Sequence, residues 1–463
     1  MRSFSVRRAV SACVLSAAAA AALAAPGAAS AAGPESCSGG NTKGAGASTQ
    51  KAVQLEIWNL KFNLSADPKA CNGTQGSKGK PTLTYESVGS GAGLEKWGVN
   101  AHAFEAGTYG FVATDEPVDP TEKAEIEGNQ TTKTAETVQT IPVLQVAIAV
   151  PVNLPAGCVA TSTQHPGQLA VSNVTLEKIY RGTINTWAEV LTAEASNKSG
   201  DKITGEGCVT GTQITRVVRK DQSGTSHIFK KYLSLTSSTP FLTNLGNTKD
   251  WKEIAEGVAN ETEWPAGSVA VVRPAAAGGG ELVAKVAATP SSIGYASLVD
   301  VRKNGSFSQA AKSGGPNTAK FWLDIENNGK PGVAAKGIKS ADPSTNGDAE
   351  AKASANCAKE KYTNGSGTKF PPKTTGLTWN EVTTEVKQAN YPICGLTYDM
   401  GLSKYSAYPG TSEGEAITAN NYLQFEVSTG AEGGQSELVN QDYEPLPKNL
   451  VKIAQKGAAL VAN

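Results

Sequence analysis

Apolar residues along this chain follow two patterns, short continuous or alternating runs and runs with helical spacing, and the two patterns alternate. Residues 82–85, 110–115 and 213–218 read as strands, and 141–150 is a near-continuous apolar run bounded by Pro142 and Pro151. A run with no polar face predicts a strand buried on both sides, here also a crossing between two lobes. Helical spacing is clearest at 227–235, where Ile228, Tyr232 and Leu235 recur at i, i+4 and i+7 with Phe229 and Leu233 beside them. Val53, Ile57 and Leu60 mark one face of a helix predicted over 50–62. Further helices are predicted at 94–97, ahead of the Gly182 stop and the Trp187 anchor, at 281–288, at 419–428 and at 447–460. Residues 292–296 read as one short strand. Strands alternating with helices predict an α/β protein with mostly parallel sheets. From about 303 to 375 the pattern gives way to Gly, Pro, Ser and Asn, which predicts surface insertions, stapled by Cys357.

The amino terminus lies outside this pattern. Arg2, Arg7 and Arg8 precede an Ala-rich apolar run over 10–23, and Ala29, Ser30 and Ala31 form a small-x-small cleavage site. These are the parts of a secretory signal peptide cut after Ala31, and the run is too short for a membrane span. Nothing after Arg7 and Arg8 strengthens a twin-arginine signal, so general secretion to an extracytoplasmic compartment is expected. Six cysteines follow the leader: Cys37, Cys71, Cys158, Cys208, Cys357 and Cys394. An even number in an exported chain predicts disulfides; proximity along the chain favours Cys37 with Cys71, Cys158 with Cys208 and Cys357 with Cys394. No C-x-x-C pair occurs and His102, His165 and His227 are scattered, so no metal is expected. Lys plus Arg equals Asp plus Glu at 42 each. No overall field therefore draws the chain to nucleic acid or membrane, and a charged ligand must be held by a local site.

Three stretches offer such a site. Each has glycine and hydroxyl residues leading into a helix: 44–50 with Ser48 and Thr49, 87–93 with Ser90, and 219–226 with Ser223, Gly224 and Thr225. A helix start presents unpaired backbone N–H groups and the positive end of its dipole, which suits an oxyanion. Taken alone, each is equally a plain capped helix. Arg219 adds a guanidinium to the third. The 87–93 turn lacks the signatures of a Walker loop and of a dinucleotide site, and Val88 stands where a nucleophile elbow needs glycine. Asp115 ends the 110–115 strand, as a turn residue or as an acceptor pointing into a cleft. Gly278, Gly279 and Gly280 lead one more helix.

In this order, the stretches resemble the extracytoplasmic phosphate-binding proteins that serve ABC-type phosphate importers. The matching pieces are 44–49, 85–93, 111–117, 176–187, 217–226, 264–267, 292–296, 391–397 and 442–447. The resemblance implies a two-lobed α/β fold of the periplasmic-binding-protein kind, with two strand crossings between lobes and the ligand in the cleft. It implies lobe 1 from 32–141 plus 392–463, and lobe 2 from 142–391 with a polar insertion at about 303–390. Carried over position by position, it implies phosphate contacts from Ser48, Thr49, Ser90, Asp115, Arg219, Ser223, Gly224 and Thr225, with Asp221 holding the Arg219 guanidinium. This chain departs from the usual pattern at Ser48, Thr49, Gln50 and Thr114, where the family favours Thr, an aromatic, Pro and Ser.

These residue types suit phosphate for physical reasons. Hydroxyls, helix-start amides and one guanidinium can hold a dianion, so a neutral protein suffices. A carboxylate beside a dianion repels it unless the ligand brings a proton; phosphate does and sulfate does not, so Asp115 would reject sulfate. The expected partners are inorganic phosphate and ABC permease subunits in the membrane, with the chain a monomer, no cofactor and no catalysis. Three rivals stand beside this reading. One is a binding protein for another oxyanion or an organic phosphate, and another an adhesion protein using the insertion. The third is a phosphatase-like hydrolase, for which His227 lies along the helix from Ser223 with no third member in view.

Overall fold

The structure is a computed structural model that describes residues 37–71, 80–132, 136–161, 169–194, 202–236, 251, 262–265, 271–307, 319–327, 339–345, 353–357, 361–364, 382–385 and 390–463. The leader with its cleavage site, and much of the polar stretch after 303, lie outside the described residues.

Two sheets carry the chain. In the first, β1 (Thr42–Gly46) runs parallel to β2 (Leu83–Ser87) and β3 (Phe111–Thr114). The strand Cys394–Leu402 lies antiparallel to β3 and to β4 (Val138–Ala149), and Ala296–Ser297 pairs with the far end of β4. In the second sheet, β5 (Pro151–Asn153) sits between Ser292–Ile293 and Lys320–Trp322, with Thr215–Val217 and Val271–Val272 beyond. Every residue of β4 and of Cys394–Leu402 is buried, as expected for strands with no polar face. The result is a mixed α/β, two-lobed architecture of the periplasmic-binding-protein kind.

The lobes are joined where β4 gives way to β5 at Val150, and where the chain returns into Cys394–Leu402. These two segments run side by side: Ile148 N donates to Ile393 O at 2.8 Å, and the Tyr391 hydroxyl donates to Ile148 O at 2.7 Å. The return explains why the first sheet is mixed rather than mostly parallel. A chain that leaves a sheet and re-enters it through the same hinge comes back in the opposite direction. The second sheet is mixed because β5 lies antiparallel to both of its neighbours.

Other departures from the apolar pattern also have local causes. The helix expected over 50–62 contains a π-helical stretch, Val53–Trp58. Its wider turn moves the buried face to Val53, Gln54, Trp58 and Phe62 and leaves Leu60 56% exposed. Several helices begin earlier than apolar spacing predicts: Ser90–Glu95, Gly224–Thr236 and Glu413–Glu426. Their first turns hold Gly, Ser and Glu, which serve free amides but carry no apolar signal; Ser412 and Glu415 form a capping box. Residues 292–296 divide at Gly294 and Tyr295 into two strands in different sheets. Within the polar stretch, Lys320–Trp322 and Asp324–Asn327 pair as strands with Phe321, Trp322 and Ile325 fully buried. The apolar run 321–323 is too short to stand out from its surroundings.

Disulfides join Cys37 to Cys71, Cys158 to Cys208 and Cys357 to Cys394. The last ties a segment of the polar stretch to the returning strand. No helix among the described residues is long and apolar enough to cross a membrane.

Candidate functional site

The first cleft element is the turn after β1. Gly46 has φ 140°, and a Cβ there would lie 1.9 Å from Ala113 O, so only glycine lets β1 close on β3 at this point. Ser48–Gln50 follows as a 3-10 turn, fixed from behind. Tyr85 donates to Ala47 O at 2.8 Å and Tyr443 to Thr49 O at 2.7 Å, while Gln50 Nε2 donates to Thr397 Oγ1 at 2.6 Å. One turn on, Gln54 Nε2 reaches Glu426 at 2.9 Å and Asp399 at 3.1 Å. Burial pushes Asp399 up to about 7. Burial and the neighbouring Asp399 charge carry Glu426 well above its ordinary value. Both shifts favour a proton retained within this buried pair.

The second element is the turn after β2. Gly89 has φ 100°, and a Cβ on it would lie 2.7 Å from Asp221 Oδ2 of the opposite lobe. Ser90 opens the helix, and its Oγ accepts from Asp115 N at 3.2 Å. Asp115 is buried at the end of β3 and is bonded from both lobes. Thr49 Oγ1 donates to Oδ1, and Thr225 Oγ1 donates to Oδ2 at 3.0 Å. Burial raises the proton affinity of Asp115; the hydroxyls of Thr49, Thr225 and Thr397 and the Arg219 charge oppose that rise.

Arg219 and the start of helix Gly224–Thr236 form the third element. Arg219 Nε donates to Asp221 Oδ1 at 2.7 Å, and Nη2 pairs with Asp221 Oδ2. Burial works against the guanidinium charge, but the Asp221 hydrogen bonds and charge outweigh it and hold Arg219 protonated. Arg219 is 1% exposed, and its Nη1 has no hydrogen-bond partner among the described residues. Ser223 caps the helix, its Oγ accepting from Ser226 N at 3.4 Å. A Cβ on Gly224 would lie 2.7 Å from both Asp115 Cβ and Glu116 N. The helix start therefore rests directly on the end of β3.

A fourth element was not among the residues expected from the sequence. Helix Gly279–Ala288 begins in the cleft, where Gly279 N donates to Ser48 Oγ at 3.3 Å and Gly278 N to Asp221 Oδ1 at 3.4 Å. The glycine triplet leading an amphipathic run was its visible signal. Tyr295 is a second addition: its hydroxyl accepts from Arg219 N at 3.2 Å and lies 2.6 Å from Ser226 Oγ. Asp300 borders the cleft without joining these contacts, and Ser297 ahead of it makes it look like an ordinary helix-start residue.

The structure brings Ser48, Thr49, Ser90, Asp115, Arg219, Asp221, Gly224 and Thr225 into one connected ring of contacts across the cleft, with Ser223 at the helix cap beside it. Such a ring can bind a small oxyanion: it offers hydroxyls, helix-start amides, one buried guanidinium and one carboxylate acceptor. His227 Nδ1 lies 3.1 Å from Glu116 Oε1, a carboxylate neighbour not expected from the sequence, while Ser223 Oγ accepts from Ser226 N. No group of acidic, His or Cys residues suited to a metal ion occurs among the described residues.

The description "PBP superfamily domain" matches residues 31–429. No curated protein matches the sequence. Among solved structures, a phosphate-binding protein from Stenotrophomonas maltophilia superposes with a TM-score of 0.55 at 15% identity, covering 90% of this chain and 93% of that one. A high-affinity periplasmic phosphate-binding protein bound with phosphate gives 0.51 at 16% identity, with 90% and 93% covered. The ancestral soluble variant of the human phosphate binding protein gives 0.55 at 14%, again with 90% and 93% covered. At these identities the likeness is one of fold.

Proposed function

The chain belongs to the PBP superfamily, and on that premise we propose that it captures inorganic phosphate outside the membrane for an ABC-type importer. The observation that carries this reading is the Arg219 guanidinium: fully buried, held along one edge by both oxygens of Asp221, and with Nη1 left for a ligand. Leaving such a donor unmatched in a buried site costs about 1–3 kcal/mol, which an oxyanion recovers. Asp115 then selects among oxyanions, since only a protonated one can donate to its carboxylate. Each charge-assisted hydrogen bond contributes about 1.5–3 kcal/mol net. A micromolar ligand needs about 8 kcal/mol, so a handful of these contacts suffices.

The ligand contacts in this reading are Ser48, Thr49, Ser90, Asp115, Arg219, Ser223, Gly224 and Thr225. In this reading residues 32–149 and 392–463 form one lobe and 150–391 the other, the crossing lying at Val150 rather than at the expected 141, after a leader removed at Ala31. The working form is a monomer that presents both lobes to permease subunits. The test is calorimetric titration of the mature protein with phosphate, arsenate, sulfate and glycerol phosphate, with a chromogenic phosphomonoester as a turnover control. Phosphate binding without turnover and without sulfate binding is expected. Preference for glycerol phosphate, or hydrolysis, would refute the reading.

A further inference from the structure

One acidic group in the cleft has no task in phosphate capture as described above. Asp300 sits in the first turn of helix Leu298–Lys303, so close to the start of helix Gly279–Ala288 that a Cβ on Gly279 would lie 2.1 Å from its Oδ2. With Ser48 and Thr49 it lines a cavity of about 300 Å³ between the two sides of the cleft. Among the described residues its carboxylate accepts one hydrogen bond, from Ser297 Oγ at 2.8 Å. Asp115, by contrast, is served by hydroxyls from both lobes.

The charges around Asp300 leave little room for a dianion. One guanidinium, Arg219, stands among three carboxylates, those of Asp221, Asp115 and Asp300. Lys51, Glu56 and Lys303 line the same cavity, and Lys303 pairs with Glu56. Glu281 is exposed on the first turn of the neighbouring helix, and Tyr443, from the C-terminal segment, is kept neutral by its burial. Burial dominates the titration of Asp300 and sets it at about 6; Ser297, Arg219 and Lys303 favour its charge and Asp115 opposes it. Adding a dianion to such a cluster disfavours the ionised form of the carboxylates already there. Asp115 is engaged as the acceptor for the ligand's own proton. Asp300 has fewer donors and borders the cavity.

We propose that Asp300 couples phosphate capture to proton uptake: as the dianion enters, the Asp300 carboxylate takes one proton from solvent through the cavity and remains neutral in the complex. This rests on the phosphate reading of the site. Linkage then makes wild-type affinity fall by up to about tenfold per pH unit above 6, beyond the effect of phosphate's own ionisation.

The test is calorimetry of the mature protein with inorganic phosphate from pH 5 to 8, in buffers of differing ionisation enthalpy. Asp300→Asn, which keeps the shape and the Ser297 contact, should bind phosphate as wild type does at pH 5. At pH 8 it should bind at least tenfold more tightly than wild type, with close to one proton fewer taken up. Ser297→Ala removes a hydrogen bond that favours the ionised form, so the affinity loss should begin at higher pH than in wild type. That second variant decides the matter if Asp300→Asn does not fold. Equal proton uptake and equal pH slopes across the three proteins would overturn the coupling while leaving phosphate capture intact. No phosphate binding by wild type at any pH would overturn the function and the coupling together.

Discussion

At the scale of single residues, the cleft depends on one cation and one acceptor. Arg219 is buried and its Asp221 partner is fixed, so Arg219→Ala removes the only buried guanidinium of the ring and leaves Asp221 uncompensated. The expected loss of phosphate affinity is about 100-fold or more, larger than for Ser90→Ala, since hydrogen bonds to charged groups contribute about 1.5–3 kcal/mol each. Calorimetry of the two variants checks the order. Asp115 governs choice rather than strength. Its raised proton affinity means that acid neutralises it sooner than an ordinary aspartate. Phosphate-over-sulfate selectivity should therefore decline as pH falls toward the carboxylate range. In Asp115→Asn selectivity should be low throughout and nearly independent of pH. Competition titrations at several pH values measure this, and unchanged selectivity in the variant would remove Asp115 from the role.

At the scale of elements, the recurring device is a glycine that lets a helix start approach the opposite lobe. Gly224 is the tightest case across the cleft, because its neighbours are the Asp115 side chain and the Glu116 backbone. Gly224→Ala should hold the lobes apart by a few tenths of an ångström or more and weaken phosphate binding at least tenfold. Its φ is not in the left-handed region, so the helix itself should survive, with thermal stability little changed. Titration together with a melting curve separates the two effects, and loss of both would point to a folding role instead. The helix starts were legible in part. Ser48, Ser90 and Ser223 stood out because hydroxyls and glycines ahead of an amphipathic run have a local signature. The π-helical turn at Val53–Trp58 had none, and so the buried Gln54 and its two carboxylates were not foreseen.

At the scale of the whole molecule, the first lobe holds ionisable groups whose cost depends on pH. Asp399 is pushed up to about 7, Glu122 to about 8 and Glu444 to about 7, in each case chiefly by burial. The folded protein keeps these protons over a range where the unfolded chain releases them. Stability therefore falls as pH rises from about 4 through these values. Calorimetric melting at pH 5 and pH 8 should show the lower midpoint at pH 8. Glu426→Gln, which removes one member of the buried pair, should narrow that difference, and an unchanged gap would assign the effect elsewhere.

What the sequence determined by itself was whatever is encoded by neighbours along the chain. The fully apolar run before Pro151, the glycine-and-hydroxyl turns, the nearness of Asp221 to Arg219 and the pairing of nearby cysteines are all short-range. What only the tertiary structure decided depends on residues far apart in sequence. The antiparallel return of Cys394–Leu402 beside β4 made the first sheet mixed. The approach of Gly278 and Gly279 to Asp221 and Ser48 added a helix start to the cleft. The position of Asp300 on the shared cavity turned a residue with the look of a helix cap into an acid facing the site. Local patterns record which groups a segment offers; which groups meet, and how much charge they must bear together, is set by the closing of one lobe on the other.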